Sequence, residues 1–155
     1  GGEFSSGMNS SAVSTTGVLN IEGGNFAGAI DAFSGNAVIN ISGGTFEADE
    51  DFSIGERGGI LTITGGRFID GIREMNGEDV TAYLADGHVF VDENGCVVTG
   101  EALKTTTVTV KNPVAIVTTA GGVTTTYDSL QVAVDYAATQ TNSTVKKKRI
   151  ICISR

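Results

Sequence analysis

"VINISGGTF" spans Val38 to Phe46, and near-copies of it, "VLNIEGGNF" (Val18 to Phe26) and "ILTITGGRF" (Ile60 to Phe68), lie on either side. Aligned on their Gly-Gly pairs, the three stretches share one pattern. Leu19, Ile39 and Leu61 occupy one slot, and Ile21, Ile41 and Ile63 the next but one. Between and after them come Asn20, Asn40 and Thr62, then Glu22, Ser42 and Thr64. Alternation of period two puts the aliphatic residues on one face of an extended strand and the polar ones on the other. The glycines then turn the chain through backbone angles that a side chain would obstruct, and a phenylalanine faces inward again. The repeat is therefore carried by Gly23, Gly24 and Phe26, by Gly43, Gly44 and Phe46, and by Gly65, Gly66 and Phe68.

The first four residues, "GGEF" (Gly1 to Phe4), fit the same frame. Those letters are also the signature of enzymes that make cyclic di-GMP, but such an enzyme needs its motif once, on one hairpin. Fourfold recurrence points to a structural unit. The Gly pairs are separated by 22, 20 and 22 residues, too short for a propeller blade, and the Leu/Asn frame of leucine-rich repeats is missing. The spacing predicts an all-β fold: a right-handed parallel β-helix (β-solenoid) of about 20–22 residues per coil, successive coils stacking at about 4.8 Å.

On this reading residues 1–70 form the coils. Residues 71–100 form a cap, a helical turn followed by a hairpin at Asn94-Gly95. Residues 101–126 read as linker and edge strands. Residues 127–155 read as the partial start of a following module, with one helix and a basic tail, "KKKRIICISR". Ser129 or Asp128 caps that helix, and Leu130, Ala133, Val134 and Ala137 line its apolar face. The whole chain reads as a portion of something longer.

Charge narrows the choice of partners. The net charge is −8, yet five of the ten Lys and Arg residues fall in the last ten positions. The first 145 residues thus carry five basic and 18 acidic groups, a balance of −13. Such a body repels phosphate, which argues against a nucleic acid or an anionic membrane surface. No apolar run is long enough to insert into a bilayer. Cys96 and Cys152 lie far apart, without metal-ligand spacing, and are not expected to pair.

Residues 18–100 resemble the β-helical repeats of large extracellular, adhesin-like proteins of Gram-positive gut bacteria. The strings that carry the resemblance are "INISGGTF", "LTITGGRF" and "VTAYLADGHVFVDENG", with "VTTTYDSLQVAVDYA" similar to the opening of a further module. The resemblance implies a secreted or wall-attached protein outside the cell. It also implies a non-catalytic role, binding a host glycoprotein or polysaccharide through the solenoid face, with neighbouring coils or modules of a longer parent chain as further contacts. A related group of calcium-dependent, carbohydrate-binding β-helices uses similar "ISGGT" coils, which makes calcium the one cofactor to consider.

Counted from the Gly pairs, Asp31 and Asp51 share a slot, preceded by Asn9 and followed by Arg73. In register they would stand about 5 Å apart on adjacent strands and would repel unless a cation intervened. With Asp49 and Glu50 they make a candidate Ca²⁺ site of hard oxygen ligands; the alternative is that "EADED" (Glu47 to Asp51) is a solvated loop. The β-helix also serves polysaccharide lyases and hydrolases, which need carboxylates flanking a sugar-sized groove. Arg57 and Arg73 are the nearest basic groups, but no aromatic wall is evident, so a non-enzymatic reading is preferred. A purely structural stalk is the third reading. His88, Cys96, Tyr83 and Tyr127 read as packing or cap residues, and Asn20, Asn40 and Thr62 as a ladder between coils.

Overall fold

The computed structural model describes residues 2–5, 11–32, 35–47, 53–56, 58–74, 77 and 79–147. Its strands are short because the glycine pairs interrupt each run of alternation after four residues. In chain order they are β1 (Glu3–Ser5), β2 (Ser11–Thr15), β3 (Val18–Ile21), β4 (Asn25–Ala27), β5 (Ala29–Ala32) and β6 (Val38–Ile41). Next come β7 (Thr45–Glu47), β8 (Ser53–Glu56), β9 (Ile60–Ile63), β10 (Arg67–Phe68) and β11 (Arg73–Glu74). After a 3-10 turn at Val80–Tyr83 follow β12 (Val89–Val91), a second 3-10 turn (Gly100–Lys104) and β13 (Val108–Lys111). The last elements are β14 (Ala115–Thr118), β15 (Thr124–Tyr127), α1 (Leu130–Ala138) and β16 (Thr144–Lys147).

The strands divide among four sheets. One has the order β3-β6-β9 and another β11-β8-β5-β2, both parallel throughout. The largest runs β1-β4-β7-β10-β13-β12, parallel through its first four strands and antiparallel around β13. The fourth, β15-β14-β16, is antiparallel. The expected single right-handed parallel β-helix with a C-terminal cap is therefore not the fold. The protein is mostly β, in several small separate sheets of mixed orientation with one helix, and its described residues form no single solenoid and no closed β-helix. The physical reason is that alternation dictates only which side chains a strand buries. How strands assemble depends on connections, which here vary in length, and past Phe68 antiparallel pairing takes over.

Within the parallel sheets the repeat governs register. Leu19 pairs with Ile39 and Ile39 with Leu61, while Ile21, Ile41 and Ile63 form the neighbouring row. Phe4, Phe26, Phe46 and Phe68 lie opposite one another in the largest sheet. Their rings stack with centroids 4.9, 5.0 and 4.9 Å apart and planes within 16°, close to the spacing of neighbouring strands. Phe90 of β12 meets Phe68 edge-on, at 6.0 Å and 80°. The two glycines of a pair serve different needs. Gly66 has a φ of 107°, which L-residues resist. A Cβ on Gly65 would collide with the Ser42 carbonyl oxygen and lie 2.7 Å from its carbon.

Two hydrophobic clusters result. The larger joins the aliphatic rows and the phenylalanines to Ile72, Val80, Phe90, Leu103, Val108 and Val110. Residues 101–126, read from sequence as linker and edge strands, thus supply β13, seated between β10 and β12 with Val108 and Val110 buried. The smaller cluster centres on Ala115, Val117 and Ala133, with Tyr127, Leu130, Tyr136, Ala137 and Val145 packed against it. On α1 the expected apolar face shifts: Val134 is exposed and Tyr136 packs instead. Ser129 is the N-cap residue, without a side-chain capping bond. Among the described residues no helix is long and apolar enough to cross a membrane.

Candidate functional site

The outward face of β3-β6-β9 follows directly from alternation. Leu19 and Ile21 with their register mates point to the core, so Val18, Val38 and Ile60 form one outer row and Asn20, Asn40 and Thr62 the next. Val18 is 70% and Ile60 61% exposed, with Val38 half-buried between them. Leaving a contiguous aliphatic row in water is unfavourable, and such patches mark interaction surfaces more often than scattered apolar residues do. Beside the row, Asn40 Nδ2 donates to Asn20 Oδ1 at 2.9 Å. Asn20 and Asn40 are exposed, and an amide carries two donors and a two-lone-pair acceptor, so this one bond leaves capacity for a ligand. The following row is committed to the fold: the Ser42 and Thr64 hydroxyls donate to the Ile21 and Ile41 carbonyls at 3.3 and 3.2 Å.

The face therefore offers an aliphatic strip and an amide-hydroxyl strip side by side, repeating at the inter-strand spacing of about 4.8 Å. Sequence reasoning assigned the amide row to structure alone and overlooked the aliphatic one. The signal was present: in "VLNI", "VINI" and "ILTI" the first residue shares a face with the Asn or Thr, not with the core.

The acidic candidates fare differently. Asp31 lies on β5 and is buried, at 3% exposure, and its register partners are Ser14 of β2 and Gly55 of β8. The stacking of Asp31 on Asp51 deduced from equal spacing is not formed, because Gly55 lies nine residues past Phe46 whereas Asp31 lies five past Phe26. Arg73 pairs in register with Ser53. Asp31, Arg73 and the buried Glu74 are each engaged in interactions within the protein. Asp49, Glu50, Asp51, Asn9 and Arg57 lie outside the described residues. Among the described residues no group of three or more His, Cys, Asp or Glu side chains converges.

A shallow recess of about 330 Å³ opens elsewhere, lined by Thr81, Leu84, His88, Phe90, Val97 and Val98 among others. His88 Nδ1 lies 3.1 Å from the Ala85 carbonyl oxygen and 3.3 Å from that of Asp86. Both neighbours are acceptors, so Nδ1 carries the proton and donates. The Asn94-Gly95 turn is organised by Asp92, whose carboxylate accepts from the Asn94 and Cys96 amides at 2.9 and 2.8 Å. Cys96 is a free, half-buried thiol beside Thr125. Tyr127 packs on Tyr136 with ring centroids 5.6 Å apart. Burial, then the neighbouring Tyr136 and Cys96, push the Tyr127 phenol above its ordinary pKa of 10.0. The Gly-Gly-x-Phe residues are scaffold: Phe26, Phe46 and Phe68 are all buried.

Fold and site together define a mostly β protein, built in part from a short repeat, that exposes an aliphatic strip beside an amide strip. The chain matches no protein-family profile, no curated protein and no solved structure.

Proposed function

We propose that the protein is a non-catalytic adhesion or display module, working outside the cell, that binds a polysaccharide or the glycan of a host glycoprotein. The surface is the outer face of β3-β6-β9. The observation that carries the reading is the outer row of exposed Val18, half-buried Val38 and exposed Ile60 lying against the Asn20, Asn40 and Thr62 row. Sugars present C–H faces and hydroxyl edges in alternation; the aliphatic strip suits the first and the amides and hydroxyl suit the second. A polymer repeating at about 5 Å and lying across the strands would meet equivalent groups on each one. No reacting group needs to be invoked.

The test is a glycan array run with and without Ca²⁺, followed by titration of the best ligand against Ile60→Ser and Asn40→Ala variants. Both positions are at the surface of the sheet, and circular dichroism of each variant checks that the fold is kept. Binding weakened about tenfold or more by each change is the expected result. Ligand binding indifferent to both substitutions refutes the face, and an array with no bound glycan leaves a structural stalk as the better reading. Loss of binding on chelation would bring the Asp49–Asp51 segment back as a calcium site.

A further inference from the structure

The free hydrogen-bonding capacity of the outer β3-β6-β9 face is concentrated between β6 and β9. Ser42 and Thr64 are spent on main-chain carbonyls, and Asn40 gives one N–H to Asn20. The run of amides then stops, because the third register position holds Thr62. Among the described residues no hydrogen bond joins Thr62 to Asn40, and none uses the Thr62 hydroxyl. An acceptor, Asn40 Oδ1, and a donor, the Thr62 hydroxyl, thus stand on neighbouring strands about 4.8 Å apart. Two residues earlier on the same strands, Val38 and Ile60 form an aliphatic floor beside them. Charge is the second observation. Glu22 is exposed just past Asn20, and the two outer rows contain no basic side chain. The first 145 residues carry five basic and 18 acidic groups, so an anionic ligand finds no counter-charge on the face and is repelled by the body.

Given the glycan-binding role of this face, on which the inference rests, we propose that the place between β6 and β9 recognises the acetamido groups of an uncharged, linear polysaccharide of N-acetylglucosamine. An acetamido group carries one N–H, one carbonyl and one methyl. Its N–H donates to Asn40 Oδ1, its carbonyl accepts from the Thr62 hydroxyl, and its methyl lies on Val38 and Ile60. The acceptor, the donor and the aliphatic floor are then all used, and none of them asks for a charge. A plain sugar hydroxyl in the same position offers no methyl and leaves Val38 and Ile60 uncovered. A uronate supplies carboxylates instead, which only accept hydrogen bonds and which Glu22 repels.

Isothermal titration calorimetry tests this with linear, β-linked hexamers of N-acetylglucosamine, of glucose and of glucuronate. The N-acetylglucosamine hexamer is expected to bind at least about tenfold more tightly than the glucose hexamer, the difference that two ordinary hydrogen bonds make. Its affinity should be the same at low and high salt, because the ligand carries no charge to screen, and the glucuronate hexamer should not bind. Thr62→Val keeps the branched shape and removes the hydroxyl, and should bring the preference down to about threefold or less. Should that variant fail to fold by circular dichroism, Asn40→Ala takes its place with the same expectation. Equal binding of the first two hexamers, a preference that survives the substitution, tighter binding of glucuronate, or an affinity that shifts with salt overturns the acetamido assignment. So does a N-acetylglucosamine hexamer that fails to bind while another glycan binds and is weakened by Ile60→Ser. Those results leave the glycan-binding face standing. A protein that binds no glycan, or binds one indifferently to Ile60→Ser and Asn40→Ala, overturns the role of the face and this inference with it.

Discussion

Replacing Gly65 by alanine should cost far more than the same change at Gly23, although both glycines hold the same place in the motif. At Gly65 a Cβ would strike the Ser42 carbonyl, while at Gly23 nothing among the described residues lies within 4 Å of the added atom. The difference is that Ser42 of the preceding repeat stands against Gly65, whereas no described residue stands against Gly23. Relieving the collision means moving backbone that is fixed by bonds from Thr64 N to Ile41 O at 2.7 Å and from Arg67 N to Gly44 O at 2.9 Å. Overpacking of this sort costs about 1–3 kcal/mol, and weakening one backbone hydrogen bond adds about 1 kcal/mol. The sum, about 2–4 kcal/mol, corresponds to a fall in Tm of about 5–15 °C for a chain of this length. Gly23→Ala has no clash and no left-handed φ, and the lowered entropy of its unfolded chain stabilises by about 0.4–1 kcal/mol. Its Tm should stay within about 3 °C of the parent's. Thermal unfolding followed by far-ultraviolet circular dichroism, with urea midpoints as a second measure, makes the comparison. Equal losses at the two positions, or a gain at Gly65, would refute the stacking of one repeat's turn on the carbonyl of the last.

Phe46→Ala should destabilise by about 3–5 kcal/mol, the usual cost of emptying a fully buried aromatic site, because Phe46 is 0% exposed and stacked on both faces. Phe4→Ala, at the exposed end of the column, should cost about 1 kcal/mol or less, and urea titrations of the two variants give the contrast. Tyr127 should ionise above 10.0 in the folded protein, followed by phenolate absorbance, and Tyr136→Phe should move its midpoint part of the way back. Because the folded value is the higher, the linked stability is fully present below the unfolded pKa and is lost as pH rises through the folded one. A stability that grows with pH across the tyrosine range would contradict this assignment.

The rows of Leu19, Ile39 and Leu61 and of the phenylalanines were legible because alternation and the glycine pairs recur in phase. What alternation cannot convey is the arrangement of sheets. That β13 would enter beside β10 in the opposite direction depends on contacts distant in sequence, Arg67 with Thr109 at 42 positions and Phe68 with Val108 at 40, which no local pattern encodes. The acidic site was misplaced for a related reason: counting from the Gly pairs assumes equal connections, and the longer connection between β7 and β8 brings Gly55, not Asp51, opposite Asp31. The outer row of Val18, Val38 and Ile60 was legible too, since by phase the first residue of each stretch shares a face with the Asn or Thr and not with the core.

The smaller hydrophobic cluster has a mechanical consequence. Its fully buried members, Ala115, Val117 and Ala133, are small, and the larger residues around them, Tyr127, Leu130, Tyr136 and Val145, are only partly buried. It is tied to the preceding turn chiefly by Val97 N to Thr124 O at 2.7 Å and by Thr126 N and Oγ1 to Gly95 O at 3.1 and 3.2 Å. Such a unit opens at a lower free energy than a region with stacked phenylalanines. Under a pull on the chain it yields first, lengthening the molecule while the sheets that carry the outer rows stay intact.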